Sequence, residues 1–484
     1  IEKNKTPKGN DTIYKGFYEG WFCAPCAEFK TEDQYYTPEG SDTPNCLIHE
    51  RPLDKIAEES WFFRLSDYDE WLIETIEGDT NLLRPDARRN EVLSFVRGGL
   101  QDLSISRLKT SVSWGVPVPG DKDHVMYVWL DALSNYITAL GYGNGERNST
   151  GFDKYWPAVH LVGKDILRFH TVYWFSFLSA AGLPLPKTVY AHGMWLDADG
   201  RKMGKTTGNV IEVDVLHKHF QVDALRYFLL REMVFGQDGK FGYESLIDRA
   251  NADLASGLGN LASRTFSMIT KYRDGLVPSG KIAEENYLNA RRAGIDPDGQ
   301  DLVSVIEHAR DEFLRRFDNF EFSQILETLW TVIARVDKLI SDAKPWELIK
   351  DEKQSETLNA VLYRASETLR WLCVMLYPVM PDAAKNIYSQ IGLADDIAQI
   401  NPANLKWGEL PIGTKIGATI GVFPRIDKSK IMNEISEQKA VSSEQSVSEP
   451  GAIATGSLPS EPTTNDEQPT TNNFLTHRIR LVRR

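Results

Sequence analysis

Apolar runs and amphipathic stretches alternate through the first half of the chain. Val125–Leu130 (Val-Met-Tyr-Val-Trp-Leu), Val159–Val162 and Thr188–Ala191 read as buried strands, being short, apolar and rich in β-branched and aromatic residues. Helical patterns follow them from Asp131, over Ile166–Ala181 and over Asp214–Met233. Strands alternating with helices predict a parallel sheet whose ligands lie at the strands' carboxyl ends, where Trp129, Asp131, Gly163 and Asp165 fall. Residues 66–100 read as helices with a turn at Gly78-Asp79. Leu103–Arg107 and Trp114–Pro119 return the chain toward the sheet.

Beyond a glycine-rich linker at Gly236–Tyr243 the pattern is helical. Leu254, Leu258, Leu261 and Thr265 share one face, and Asn260 and Arg264 a neighbouring, more exposed one. Further helices are expected over Asp301–Phe317, Phe322–Asp342 and Ser355–Leu376, the last holding Cys373 as a core thiol. The polar, lysine-rich residues 1–15 are expected to fray. After Phe423-Pro424 no aromatic occurs until Phe474, and Ser, Glu, Pro and Thr dominate. Such a segment cannot bury enough apolar surface to fold, so a disordered tail is expected, with a short basic end at His477–Arg484.

A length of 484 residues favours more than one domain. With 55 basic against 68 acidic residues, a net of −13, the chain is not a general nucleic-acid coat protein, though a local basic patch stays open to it. No run approaches the ~20 apolar residues of a membrane span, and no secretory signal opens the sequence, so a cytoplasmic location without membrane contact is expected.

Three of the four cysteines are clustered. Cys23-Ala24-Pro25-Cys26 and Cys46-Leu47-Ile48-His49 form a C-x2-C and a C-x2-H pair nineteen residues apart. Two such knuckles complete a tetrahedron of three thiolates and one imidazole, which leaves no open position, so the pattern reads as a structural zinc site. Three unligated thiols and a surface histidine are the alternative.

Three further patterns bear on chemistry. Lys202 and Lys205 stand in a glycine-rich loop between a strand and a helix, which fits either a polyphosphate clamp or a solvated basic hairpin. Trp129, Tyr136, Ile166, Phe169 and His170 could line an aromatic pocket suited to a thioether, or be ordinary core. Trp346 follows Pro345 at a helix start, where it could stack on an unpaired base or act as a hydrophobic staple.

Lys202-Met203-Gly204-Lys205-Thr206 resembles the KMSKS signature of class I aminoacyl-tRNA synthetases, with Gly204 and Thr206 in place of its serines. The flanking His192-Gly193 and Gly208-Asn209 resemble the methionyl-tRNA synthetase form of that loop. So do Tyr18–Cys23 around the first knuckle and Gly259–Arg264 in the helical part, and the likeness runs from about Tyr14 to about Pro424.

The resemblance implies an α/β Rossmann-type parallel sheet, second half only, with a zinc-binding insertion and an all-α anticodon-binding domain. The divisions it implies are 1–105 (insertion), 106–245 (catalytic), 246–424 (anticodon) and 425–484 (tail). The implied activity is methionine–tRNA ligation, through methionyl-adenylate and transfer to tRNA(Met), with ATP and Mg2+ as substrate complex and Zn2+ held by Cys23, Cys26, Cys46 and His49. Lys202 and Lys205 would stabilise the departing pyrophosphate. His192, Gly193, Gly163, Asp165, Met203, Gly204 and Thr206 would join them around ATP. L-methionine would meet Arg107, Trp129, Tyr136, Ile166, Phe169 and His170, and the anticodon Asn260, Arg264, Pro345 and Trp346. No His-Ile-Gly-His-type motif occurs in the sequence. The resemblance therefore implies that the N-terminal half of the catalytic domain is missing from this chain, with the residues there that hold the amino group and contact ATP. A ligase for another apolar amino acid and a non-catalytic, zinc-containing tRNA-binding module are the alternatives.

Overall fold

A computed structural model describes residues 1–23, 28–30, 32–143, 151–204 and 209–447. It divides into two compact units, Ile1–Met194 and Trp195–Arg484.

The first unit opens on a long antiparallel ribbon. β1 (Ile13–Cys23) pairs with β2 (Glu28–Lys30) at one edge and along its length with β3 (Asp54–Phe63), in register from Ile13 opposite Phe63 to Phe22 opposite Asp54. Helix α1 (Asp69–Gly78), the short strand β4 (Leu83–Arg84) and helix α2 (Asp86–Arg97) follow. β5 (Leu103–Ser104) then joins the ribbon beside β3. β6 (Ser106–Leu108), β7 (Pro117–Val118) and β8 (Asp121–Met126) make a small antiparallel sheet, and helix α3 (Val128–Thr138) leaves it. β9 (Val159–Gly163), helix α4 (Trp174–Ala181) and β10 (Thr188–His192) complete a parallel sheet in the order β9-β10-β4. In β10, Val189, Tyr190 and Ala191 are all buried, as expected of a strand covered on both faces. In edge strand β9, His160 and Val162 point inward while Val159 and Leu161 are exposed.

The second unit begins with the parallel pair β11 (Trp195–Leu196) and β12 (Gly239–Lys240). Between them lie helices α5 (Val213–His219) and α6 (Val222–Arg231). After α7 (Tyr243–Arg249) and a wider helical segment at Ala250–Gly259, the chain forms α8 (Asn260–Tyr272), α9 (Gln300–Asp318), α10 (Phe322–Ala343), α11 (Pro345–Leu348), α12 (Ser355–Leu376) and α13 (Pro381–Ile391). Apart from half-buried Asn359, α12 is buried from Thr357 to Leu376 and serves as the axis of the helical core. Its buried Glu367 is not left unpaired, because Arg370, the Trp371 ring N–H and the Gly408 N–H all donate to it.

Several expectations change. Residues 1–15 are not frayed: Thr6 is buried and donates to the Asp67 carboxylate at 2.6 Å, and Asn4 donates to the Ala180 carbonyl. The run Val125–Leu130 is not one buried strand of the parallel sheet. Its strand ends at Met126 and is antiparallel, and Val128–Leu130 form the first turn of α3. The parallel sheet takes its third strand instead from Leu83-Arg84, inside the stretch read as purely helical. The helix expected over Ile166–Ala181 contains a wide turn at Phe169–Tyr173. The one expected over Asp214–Met233 breaks at Phe220-Gln221, where Phe220 turns into the core beside Phe228 and Phe241. The tail expected to lack structure from residue 425 is helical over α14 (Lys428–Val447). There Ile431, Met432 and buried Ile435 meet apolar surface, and Lys428 pairs with Glu244 and Asp248. Among the described residues no helix is long and apolar enough to cross a membrane.

Candidate functional site

In the first unit, α3 and the wide turn before α4 carry a set of aromatic rings. Trp129, on the first turn of α3, stacks on Phe169 with centroids 3.9 Å apart and planes 8° from parallel. Stacking of this kind adds ~0.5–1.5 kcal/mol beyond area burial. His170 meets Trp129 edge-on, and Tyr136, two turns along α3, donates its hydroxyl hydrogen to His170 Nε2 at 2.8 Å. His170 Nδ1 lies 2.9 Å from the Ile166 carbonyl, which can only accept. The proton therefore sits on Nδ1, and Nε2 accepts from Tyr136. Burial lowers the His170 pKa, which keeps the ring neutral, and raises that of Tyr136. Four of the five pocket candidates are joined by ring contacts or hydrogen bonds, and Ile166 contributes through its carbonyl.

Behind them lies a layer that the sequence pattern did not single out. His160 packs against Tyr136 at 4.3 Å and accepts a hydrogen bond from the ring N–H of buried Trp174. Burial, aided by His170, brings the His160 pKa down to about 4. A histidine at an inward position of a strand was the available signal. Arg107, on β6, donates to Ser104 Oγ and the Ser106 carbonyl and lies over the Tyr127 ring at 4.7 Å.

At the carboxyl end of the parallel sheet, Gly163 is in register with His192. His192 Nδ1 lies 2.8 Å from the Gly193 carbonyl, and among the described residues a Cβ on Gly163 would approach only Met194 and the His192 ring. Asp165 is exposed in the turn that follows.

At the end of the ribbon, Cys23 Sγ and Cys46 Sγ lie 3.7 and 3.8 Å from His49 Nδ1, and all three donor atoms fall within 4.8 Å of one another. Bonds of ~2.3 Å to sulfur and ~2.0 Å to nitrogen give tetrahedral edges of about that length. A tight turn brings Cys46 and His49 together: the Glu50 N–H reaches the Cys46 carbonyl, and Tyr35-Tyr36 pairs with Asn45-Cys46. Burial raises the Cys46 thiol, but the His49 backbone and ring and the Ile48 backbone outweigh it, bringing it down to about 6. Three of the four expected donors therefore fit a thiophilic ion, and Cys26 lies outside the described residues.

The second unit holds the basic loop. Asp197–Arg201 makes a tight turn, and Lys202 bridges back to Leu196, which itself pairs with Lys240. Met203 packs against the cluster of Phe220, Phe228 and Phe241, while Lys202 is exposed. Lys205 and Thr206 lie outside the described residues.

Farther along this unit, Ser263, Arg264, Ser267, Met268, Lys271, Tyr272 and Trp346 line a cavity of about 370 Å³, within the ~300–1,000 Å³ range of small-ligand sites. Pro345 opens α11 and is buried, leaving Trp346 43% exposed against α8. Lys344 turns the corner between α10 and α11 in the left-handed region, at φ 49°. Arg264 Nη1 lies 3.4 Å from Asp337 Oδ1. Asn260, one turn before Arg264, is half-buried and does not line the cavity. The sequence pattern missed Ser267, Lys271 and Asp337, although Ser267 and Lys271 follow Ser263 and Arg264 at helical spacing.

A family model described as tRNA synthetases class I (M) matches residues 5–266. The chain belongs to that family. Among relatives of this class I synthetase are the methionine–tRNA ligases of Caldanaerobacter subterraneus subsp. tengcongensis and Clostridium tetani. The first is 45% identical over 419 residues, covering 86% of this chain and 62% of the relative. The second is 43% identical over 433 residues, covering 88% and 63%. The chain thus spans a little over three fifths of the length of these curated relatives. A solved structure of Mycobacterium tuberculosis methionyl-tRNA synthetase in complex with methionyl-adenylate superposes with a TM-score of 0.75 at 38% identity, over 86% of this chain and 78% of that one. The fold is therefore that of class I synthetases, with a parallel sheet and a helical part.

Proposed function

We propose that the protein is a methionine–tRNA ligase. It would activate methionine with ATP to methionyl-adenylate, releasing pyrophosphate, and transfer the methionyl group to the terminal adenosine of tRNA(Met). The observation that carries this reading is the neutral, aromatic surface made by Trp129, Phe169, Tyr136 and His170. A thioether gains from ring edges, and a neutral imidazole offers it no charge to desolvate. Ile166 would complete the lining, and Arg107 would stand near the amino acid.

The remaining roles follow the same reading. Gly163, Asp165, His192 and Gly193 would take the adenosine, with Gly163 giving close backbone approach. Lys202 and Lys205 would stabilise charge on the departing pyrophosphate, helped by the backbone of Met203, Gly204 and Thr206. Mg2+ would accompany ATP, and such chemistry is mostly positioning and charge stabilisation. Trp346, on its Pro345 corner, would stack on an anticodon base, with Arg264 and Asn260 reading or anchoring it. Cys23, Cys26, Cys46 and His49 would hold a structural zinc ion that ties the end of the ribbon. The residue divisions 1–105, 106–245 and 246–424 belong to this proposal, as does a cytoplasmic location.

The test is ATP–pyrophosphate exchange measured amino acid by amino acid. Exchange driven by methionine alone supports the ligase. Exchange driven by leucine, isoleucine or valine replaces methionine by that substrate. No exchange with any amino acid, even when the N-terminal segment of a methionine–tRNA ligase relative is supplied with the chain, together with tight tRNA binding, favours the non-catalytic tRNA-binding module, for which the Arg264–Trp346 cavity is the supporting observation.

A further inference from the structure

The basic loop is held by a side chain outside its lysines. The Asn209 carboxamide uses both its donor and its acceptor on the segment that precedes it. Nδ2 donates to Asp197 Oδ2 at 2.9 Å and to the Lys202 carbonyl at 3.2 Å. Oδ1 accepts from the Gly204 N–H at 3.0 Å. Asp197 in turn accepts from the Arg201 N–H at 2.8 Å and from Arg201 Nε at 3.0 Å, which closes the turn. The Lys202 backbone is thereby held by Asn209 on one side and by its bridge to Leu196 on the other, with Met203 seated in the apolar cluster.

We infer that Asn209 is a positioning residue, a latch that fixes the backbone of Lys202 and Gly204 against the Asp197 turn, with Asp197 as its anchor. This rests on the phosphate role proposed above for Lys202. A lysine presented from a fixed backbone meets developing charge without first being ordered, which is the advantage of a preorganised site. The chemistry required is specific. Alanine at 209 supplies neither donor nor acceptor. Aspartate supplies the acceptor but sets a second carboxylate against Asp197. Exchanging the two side chains restores one donor facing one acceptor between 197 and 209 and keeps the acceptor for the Gly204 N–H, but leaves the Lys202 carbonyl without the hydrogen bond that Asn209 gave it.

The experiment compares Asn209→Ala, Asn209→Asp, Asp197→Asn and the double variant Asp197→Asn/Asn209→Asp with the parent chain. Limited trypsin digestion is followed by mass spectrometry of the cut after Lys202. The three single variants are expected to be cut about tenfold faster than the parent, and the double variant at a rate between theirs and the parent's. In ATP–pyrophosphate exchange, Asn209→Ala is expected to lower kcat about tenfold and leave the KM for methionine within about twofold, with partial recovery in the double variant. Equal cleavage of the parent and Asn209→Ala, or a double variant no better than its parents, overturns the latch. If the parent chain shows no exchange even with a relative's N-terminal segment supplied, the proposed activity fails, and the digestion still decides the latch.

Discussion

Tyr136 and His170 are joined by a 2.8 Å hydrogen bond whose direction is fixed from the far side of the imidazole, where Nδ1 faces the Ile166 carbonyl. The ring is thus held in one tautomer, neutral, with its edge toward Trp129. Removing the hydroxyl leaves Nε2 buried without its donor. Tyr136→Phe is expected to cost about 1–3 kcal/mol of stability and to raise the KM for methionine more than it lowers kcat. Thermal unfolding and exchange kinetics check both; an unchanged KM would remove the pair from the amino-acid site.

Two buried neutral histidines also make stability depend on pH. Burial lowers both His160 and His170, the former to about 4, so below pH 6.5 the unfolded chain binds protons more readily than the folded one. Their contribution is full above ~6.5 and is lost as the pH falls from there toward 4. The unfolding midpoint is expected to drop between pH 7.5 and pH 5.0. His160→Gln should flatten that drop, even though it lowers stability at pH 7.5. Parallel pH profiles for the two proteins would contradict the assignment.

Metal content tests the knuckle. The purified protein is expected to carry one zinc ion per chain, and Cys46→Ser to lose it. Cys373→Ser, which alters a buried thiol in α12, should keep it. Chelation should expose the ribbon end around Cys23, Cys46 and Leu53 to proteolysis. A zinc-free parent that resists proteolysis there equally well would overturn the site.

The periodicity of the helical half carried real information. Leu254, Leu258, Leu261 and Thr265 are all buried, and α12 runs over the expected Ser355–Leu376. Long amphipathic helices announce themselves because one face must be apolar along many turns. The sheet was less legible. Leu83-Arg84 is too short to show a pattern, and the apolar Val128-Trp129-Leu130, which reads as a buried strand, forms a helix turn with Val128 exposed. Side-chain networks were least legible: nothing in the spacing of Asp197 and Asn209, or of Arg264 and Asp337, says that they meet. α14 was missed because its polar composition outweighs the few residues, Ile431, Met432 and Ile435, that dock it.

Trp346 is expected to act on RNA and not on adenylate formation. Base–aromatic stacking is worth about 1–3 kcal/mol, so Trp346→Ala should weaken tRNA affinity by roughly 5- to 150-fold and leave methionine-dependent exchange within about twofold. Asp337→Asn, which loosens the Arg264 guanidinium, should give a smaller loss of affinity in the same titration. Equal damage to both assays would mean that Trp346 is a structural staple.

The most direct measurement is the affinity of this chain for RNA hairpins that differ only in their anticodon, at a fixed physiological salt concentration. The account predicts that the hairpin bearing the methionine anticodon CAU binds at least about tenfold more tightly than hairpins with any one of its three bases changed, and that Trp346→Ala abolishes the difference. Equal affinity for all the hairpins would contradict it.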